Sequence, residues 1–173
     1  MEEVLISRQQ IKDKIFELAK QIKLDYQDKK LFLVGILDGS YILMADLSRM
    51  LFEQGFSNFE INFIGVSSYA NSRESSKNPK ITKDLNLDIL DKHVLLVEDI
   101  VDTGWSLDFV QRLLNERKPA SLKTLVLLSK PDRREVKVKL DYLGFEIENK
   151  WVEGYGLDTA GLGRGNPDVI QKK

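Results

Sequence analysis

The run His93-Val94-Leu95-Leu96-Val97-Glu98-Asp99-Ile100-Val101-Asp102-Thr103-Gly104-Trp105-Ser106-Leu107 constrains this chain more than any other. Its apolar opening reads as a buried strand. Three carboxylates then fall within five positions, followed by a Thr-Gly turn and a helix. Carboxylates crowded at a strand end repel one another unless they stay solvated, bind a cation or accept from sugar hydroxyls. The turn aims backbone N–H groups and the Thr103 and Ser106 hydroxyls at one spot before a helix N-terminus, which is a ready anion site. Gly104 lets the backbone come close to that anion. Acid groups beside a phosphate cradle suit a ligand that carries both hydroxyls and phosphate. A plainer reading is an N-capped helix whose acids answer the helix dipole. That accounts for Asp102 and Thr103 but leaves Glu98 and Asp99 without a reason.

The rest of the chain supplies the frame. Ser7-Arg8-Gln9-Gln10 has capping-box spacing, and Ile11, Ile15, Leu18, Ala19 and Ile22 then fall on one helical face. Leu31 to Leu37 reads as a buried strand that turns at Asp38-Gly39-Ser40 into a helix carrying Leu43, Leu47, Met50 and Leu51. Phe59 to Val66 is a second strand, His93 to Val101 a third and Ser121 to Leu128 a fourth. A helix from Trp105 to Arg117 lies between the last two, and Val136 to Glu146 looks extended. Strands alternating with helices predict an α/β fold, with a mostly parallel central sheet flanked by helices on both faces. In such sheets the ligand sits at the carboxyl ends of the strands, which selects the turns at Asp38, at Asp102 and at Lys130. Ser67 to Lys83 is polar throughout, a length of loop that points to disorder or a functional lid.

Composition narrows the function classes. The 173 residues fit one domain, 1–173, with no repeat or linker. A net charge of -1 argues against a nucleic-acid or membrane-surface binder. The absence of cysteine excludes thiolate chemistry, and the single histidine, His93, excludes a multi-histidine zinc site. His93 itself reads as a structural residue opening its strand. The acidic Met1-Glu2-Glu3-Val4 start does not read as a secretory signal, and no apolar run is long enough to span a bilayer, so a cytoplasmic protein is expected.

Val97-Glu98-Asp99-Ile100-Val101-Asp102-Thr103-Gly104 resembles the phosphoribosyl-pyrophosphate motif of type I phosphoribosyltransferases, and its Glu-Asp form looks like the hypoxanthine-guanine branch. The likeness runs from Val34 to about Arg164. It includes Ser68-Tyr69, Lys130-Pro131-Asp132-Arg133-Arg134-Glu135-Val136, Val138 to Ile147, and Lys150 to Asp158. Ordered matches over most of a chain are far more specific than a lone glycine pattern.

The resemblance implies the type I fold with a small C-terminal hood. It implies transfer of the phosphoribosyl group from phosphoribosyl pyrophosphate to a 6-oxopurine base, giving IMP or GMP and pyrophosphate, with Mg²⁺ as cofactor. It also implies a homodimer or homotetramer. By the same likeness Glu98 and Asp99 hold the ribose hydroxyls directly or through Mg²⁺. Asp102 is the base that takes the purine N7 proton, and Thr103, Gly104, Trp105, Ser106 and Leu107 hold the 5′-phosphate. Lys130 reads the 6-oxo oxygen, Trp151 stacks on the purine, the Val152 backbone reads its edge, and Asp158 is linked to the metal. Ser68-Tyr69 opens a mobile lid, whose closure would exclude water from a reactive sugar cation.

Two places depart from the pattern. Leu37-Asp38-Gly39-Ser40 matches the pyrophosphate loop, yet acidic Asp38 is unexpected beside an anion. It suggests that backbone N–H groups bind there, by way of a strained or cis peptide. Thr159-Ala160-Gly161-Leu162-Gly163-Arg164-Gly165 keeps the spacing of a pyrophosphate-contacting arginine at Arg164, but its glycines predict a loosely placed side chain. Rival readings are a related enzyme with a different base preference, a nucleotide sensor that has lost catalysis, and a generic phosphate-binding α/β protein. A sensor need not keep Asp102, Lys130 and Asp158 together, and the generic protein leaves Lys130 and Trp151 unexplained.

Overall fold

A computed structural model describes residues 3–67 and 79–172. In chain order the elements are β1 (Glu3–Ile6), α1 (Arg8–Tyr26), β2 (Leu31–Leu37), α2 (Tyr41–Glu53), β3 (Phe59–Ser67), β4 (Lys80–Lys83), β5 (His93–Val101), α3 (Trp105–Glu116), β6 (Ser121–Ser129), β7 (Tyr142–Glu146), β8 (Val152–Glu153) and β9 (Val169–Gln171). A 3₁₀ turn at Pro131–Arg133 follows β6. The main sheet has the order β4-β3-β2-β5-β6-β7. All its pairings are parallel except β3 with β4, the antiparallel edge.

Alternation along the strands sorts the core into two layers. Leu31, Leu33, Leu95 and Val97 pack with Ile11, Ile15 and Leu18 of α1 and Leu43, Leu47 and Leu51 of α2. Phe32, Val34, Val94 and Leu96 pack with Leu107, Val110 and Leu114 of α3 on the other face. A strand apolar on both faces needs helices on both, as the sequence pattern anticipates. α1 starts at a capping box, in which Ser7 and Gln10 satisfy each other's backbone.

Three expectations change. The hood is not built from the C-terminal region alone: β1, at the start of the chain, pairs with β9, which pairs with β8. The extended stretch from Val136 is a strand only over Tyr142–Glu146, because Val136 to Lys139 instead serves as backing for the loop after β5. The polar segment ends in an edge strand, β4, whose Lys83 ammonium reaches the Phe63 carbonyl at 2.7 Å. Ser68 and Tyr69 lie outside the described residues. Among the described residues, no helix is long and apolar enough to cross a membrane.

Candidate active site

β5 delivers Glu98, Asp99 and Asp102 to the carboxyl edge of the sheet, and the chain then turns through Gly104 into α3. Gly104 is the N-cap at φ +97°, a conformation that a side chain would strain, and it makes no side-chain cap bond. The N-cap position of α3 is therefore Gly104, not Asp102 or Thr103. Thr103 is buried, Trp105 and Ser106 are half-buried, and Leu107 packs into the core, so Leu107 offers the cradle only its backbone.

The segment after β6 holds this loop in place. The Glu135 and Val136 N–H groups donate to the Thr103 carbonyl at 2.9 and 3.1 Å. The Trp105 indole donates to Glu135 Oε2 at 3.0 Å. Arg134 donates to the Asp102 carbonyl at 3.2 Å and to Ser129 Oγ at 2.9 Å. A Cβ added at Gly104 would sit 2.8 Å from the Val136 carbonyl, so glycine is required by contact as well as by conformation. Lys130, only 6% exposed, brings its ammonium to 3.5 Å from Asp102 Oδ2, while Arg133 Nε donates to Oδ1 at 2.9 Å.

The other wall is the turn after β2. Its Leu37–Asp38 peptide is cis, Asp38 is exposed, and Gly39 and Ser40 are buried. Ser40 Oγ donates to the Ile36 carbonyl at 2.5 Å. A Cβ on Gly39 would fall on the Asp99 carboxylate, so this turn and β5 touch through a glycine. Gly156 is pressed against the Gly39 carbonyl in the same way.

Burial pushes the Glu98 carboxyl well above the ordinary carboxylate range, with the neighbouring charge and contact of Asp99 adding to it. Glu98 Oε2 is buried without a hydrogen-bond partner. Asp99 is raised to about 6, first by burial and further by the charge of Asp158. Backbone N–H groups and Arg164 oppose the rise.

Arg164 is not loosely placed. It pairs with Asp158 at 2.6 Å and donates to the Gly156 carbonyl at 2.5 Å, and Asp158 also accepts from the Gly161 N–H at 2.7 Å. The glycines let the chain fold back so that both terminal nitrogens of the guanidinium find acceptors. Trp151 is 52% exposed, and its indole N–H is anchored to Thr159 Oγ1 at 2.9 Å. An exposed ring tethered at its edge is not a core residue. Val152 is buried in β8, leaving its backbone to make contacts.

A family model for the phosphoribosyl transferase domain matches residues 5–160. The chain belongs to the phosphoribosyl transferase family. It is 46% identical over 161 residues to a hypoxanthine phosphoribosyltransferase of Haemophilus influenzae, covering 91% of this chain and 88% of that protein. It is 42% identical over 168 residues to a hypoxanthine-guanine phosphoribosyltransferase of Aquifex aeolicus, covering 96% and 92%. Its fold matches a crystal structure of a Staphylococcus aureus hypoxanthine phosphoribosyltransferase with a TM-score of 0.92 at 40% identity, covering 99% of this chain and 91% of that one.

Phosphoribosyl transferases generally require a divalent metal. Among the described residues no group of three or more acidic, histidine or cysteine side chains is arranged to hold one alone. A small hard cation does not need such a cage, since it keeps several waters and binds through one or two carboxylates plus substrate phosphates. The unpartnered Glu98 oxygen and the raised Asp99 fit an ion that arrives with its substrate.

The structure thus groups Gly39, Asp99, Asp158 and Arg164 on one wall and Asp102, Thr103, Gly104, Lys130 and Trp105 on the other. Sequence reasoning assigned no role to Arg133, Arg134 or Glu135, although all three support the loop. The basic pair after a buried strand end was the available signal.

Proposed function

We propose that this chain transfers the 5-phosphoribosyl group of phosphoribosyl pyrophosphate to hypoxanthine, and to guanine, forming IMP or GMP and pyrophosphate. The observation that carries this reading is the pairing of an acceptor, Asp102 Oδ2, with a donor, Lys130 Nζ, 3.5 Å apart beside the cradle. A 6-oxopurine presents a matching edge, its N7–H donating to the carboxylate and its O6 accepting from the ammonium. Adenine, with an amino group at that position, offers Lys130 hydrogens in place of a lone pair.

Purine N9 forms the bond to C1′ as the bond from C1′ to the pyrophosphate oxygen breaks, and the N7 proton passes to Asp102, which later returns it to solvent. Glu98 and Asp99 hold the ribose hydroxyls and favour positive charge on the sugar in the transition state. The N–H groups from Thr103 to Leu107, with the Thr103 and Ser106 hydroxyls, hold the 5′-phosphate. Backbone N–H groups of Asp38 and Gly39, with Arg164, face the pyrophosphate. Trp151 stacks on the base, and the Val152 backbone reads its edge. Glu98, Asp99 and Asp158 would hold Mg²⁺, which would supply positive charge to offset that of the pyrophosphate leaving group. The reading includes a cytoplasmic enzyme acting as a homodimer or homotetramer in purine salvage.

The test supplies phosphoribosyl pyrophosphate and Mg²⁺ with hypoxanthine, guanine, xanthine or adenine in parallel and follows nucleotide formation. Hypoxanthine and guanine should be converted and adenine refused. Asp102→Ala should slow turnover by roughly 10²–10⁴-fold, as loss of a general base does, with IMP still bound. Failure to convert any 6-oxopurine overturns the reading.

A further inference from the structure

Two cations of one turn meet the two oxygens of one carboxylate: Lys130 Nζ lies 3.5 Å from Asp102 Oδ2 and Arg133 Nε lies 2.9 Å from Oδ1. From this we propose that Arg133 is a positioning residue, which fixes the plane of the Asp102 carboxylate so that Oδ2, the oxygen beside Lys130, is the one presented to the purine. The inference rests on the reading of Asp102 as the base that takes the N7 proton.

A carboxylate on a short side chain turns easily about its last bond, because that torsion has broad, shallow wells. A charge-assisted hydrogen bond on one oxygen is short and strong enough to hold that torsion. The Lys130 contact is too long to do so. The arginine is itself seated by the 3₁₀ turn, in which the Arg133 N–H donates to the Lys130 carbonyl at 3.1 Å. Lys130 and Arg133 therefore move as one unit, so the donor for O6 and the clamp on Oδ1 keep a fixed relation.

The backbone at this position is held separately. Arg134 bonds the Asp102 carbonyl at 3.2 Å, while Arg133 bonds the Asp102 side chain. Loss of Arg133 should then leave the cradle intact and free the carboxylate to rotate. In the reaction the N7 proton passes to Oδ2 while Oδ1 keeps accepting from Arg133, which stays protonated throughout.

Steady-state kinetics with phosphoribosyl pyrophosphate, Mg²⁺ and hypoxanthine provide the test, on Arg133→Gln, Arg133→Lys, Asp102→Asn and the double variant Arg133→Gln/Asp102→Asn. Arg133→Gln should lower kcat about tenfold, which is about 1.4 kcal/mol of barrier. Its KM for phosphoribosyl pyrophosphate should stay within about twofold, since the clamp acts on proton transfer and not on the phosphate cradle. Arg133→Lys should recover part of the loss, and in the Asp102→Asn background the Gln substitution should cost nothing more. The proposal is overturned if Asp102→Asn is slow while Arg133→Gln turns over as the unaltered protein does. It is overturned equally if the Gln substitution lowers kcat by the same factor with and without Asp102, because that is the mark of general damage to the turn. Full turnover by Asp102→Asn would instead sink the base reading beneath it.

Discussion

At the amino ends of its strands, the sheet closes its polar groups into matched sets. His93 Nδ1 lies 2.8 Å from Ser121 Oγ, and Asp25 accepts from Lys123 at 2.6 Å and from the Tyr142 hydroxyl. Asp141 accepts from the Thr124 N–H at 2.9 Å. Those bonds hold Asp25 below the ordinary carboxylate range, Lys123 contributing most. At the carboxyl ends of the same strands, Glu98 and Asp99 are pushed the other way by burial. Of the three buried side-chain oxygens without a partner among the described residues, Glu98 Oε2 and Ser67 Oγ lie at carboxyl ends and only the Tyr26 hydroxyl at the other. A chain that can satisfy its polar groups at one edge and does not at the other concentrates its unfavourable electrostatics where a cation and sugar hydroxyls would relieve it. His93 lies on the well-paired edge and is structural.

The contrast breaks most severely at Gly39. Gly39→Ala places a methyl on the Asp99 carboxylate, so one of the two walls must shift. Displacement of reacting groups by an ångström costs on the order of 100-fold, and the initial rate of nucleotide formation should fall at least that far. An alanine variant with normal turnover would show that the two walls do not need to touch.

Asp99→Asn sharpens the same contrast through stability. Asp99 rises from an ordinary 3.8 to about 6 on folding, so between those values the folded chain binds more protons than the unfolded one. Stability is therefore intact below about pH 3.8, falls as pH rises through this window, and carries the full penalty above about 6. Removing the charge should stabilise the ligand-free protein by roughly 1–3 kcal/mol at pH 7.5, with the gap closing near pH 3.5. Urea titrations at the two pH values measure it. The variant should also be catalytically poor, trading function for stability. A less stable variant at pH 7.5 would mean that Asp99 is better compensated than its burial implies.

The sequence discloses the parts of this site that depend on neighbours in the chain. β2 and β5 occupy the predicted residues because unbroken apolar runs flanked by turn chemistry leave few other options. Gly104 was identifiable because a Thr-Gly turn before a helix is a local requirement. The rest is set by partners far away in sequence. Glu3–Ile6 is a strand because Val169–Gln171 lies beside it, and nothing in four short residues announces that. Arg164 looked loose because glycines permit many paths, and only the folded chain shows Asp158 and the Gly156 carbonyl waiting for it. Arg133 and Arg134 are adjacent and chemically alike, yet one holds the Asp102 side chain and the other its backbone. That division is made by the seating of the 3₁₀ turn, which residue types alone do not specify.

The smallest expected effect comes from the well-paired edge. Tyr142→Phe removes the hydroxyl that donates to Asp25, leaving that carboxylate with Lys123. Asp25 is 42% exposed in its side chain, so water can take the vacated position and the cost should stay near 1 kcal/mol. The missing bond favours the ionised carboxylate, whose pKa is lowered from 3.8, so the loss should be complete above about pH 4 and should shrink as acid protonates Asp25. Turnover should not change, because Tyr142 opens β7 at the edge opposite the cradle. Denaturant melts at pH 7 and pH 3, paired with kinetics, check both halves. A drop in kcat without a drop in stability would mean that the two edges are coupled through β6 and β7, and that the amino edge contributes to more than folding.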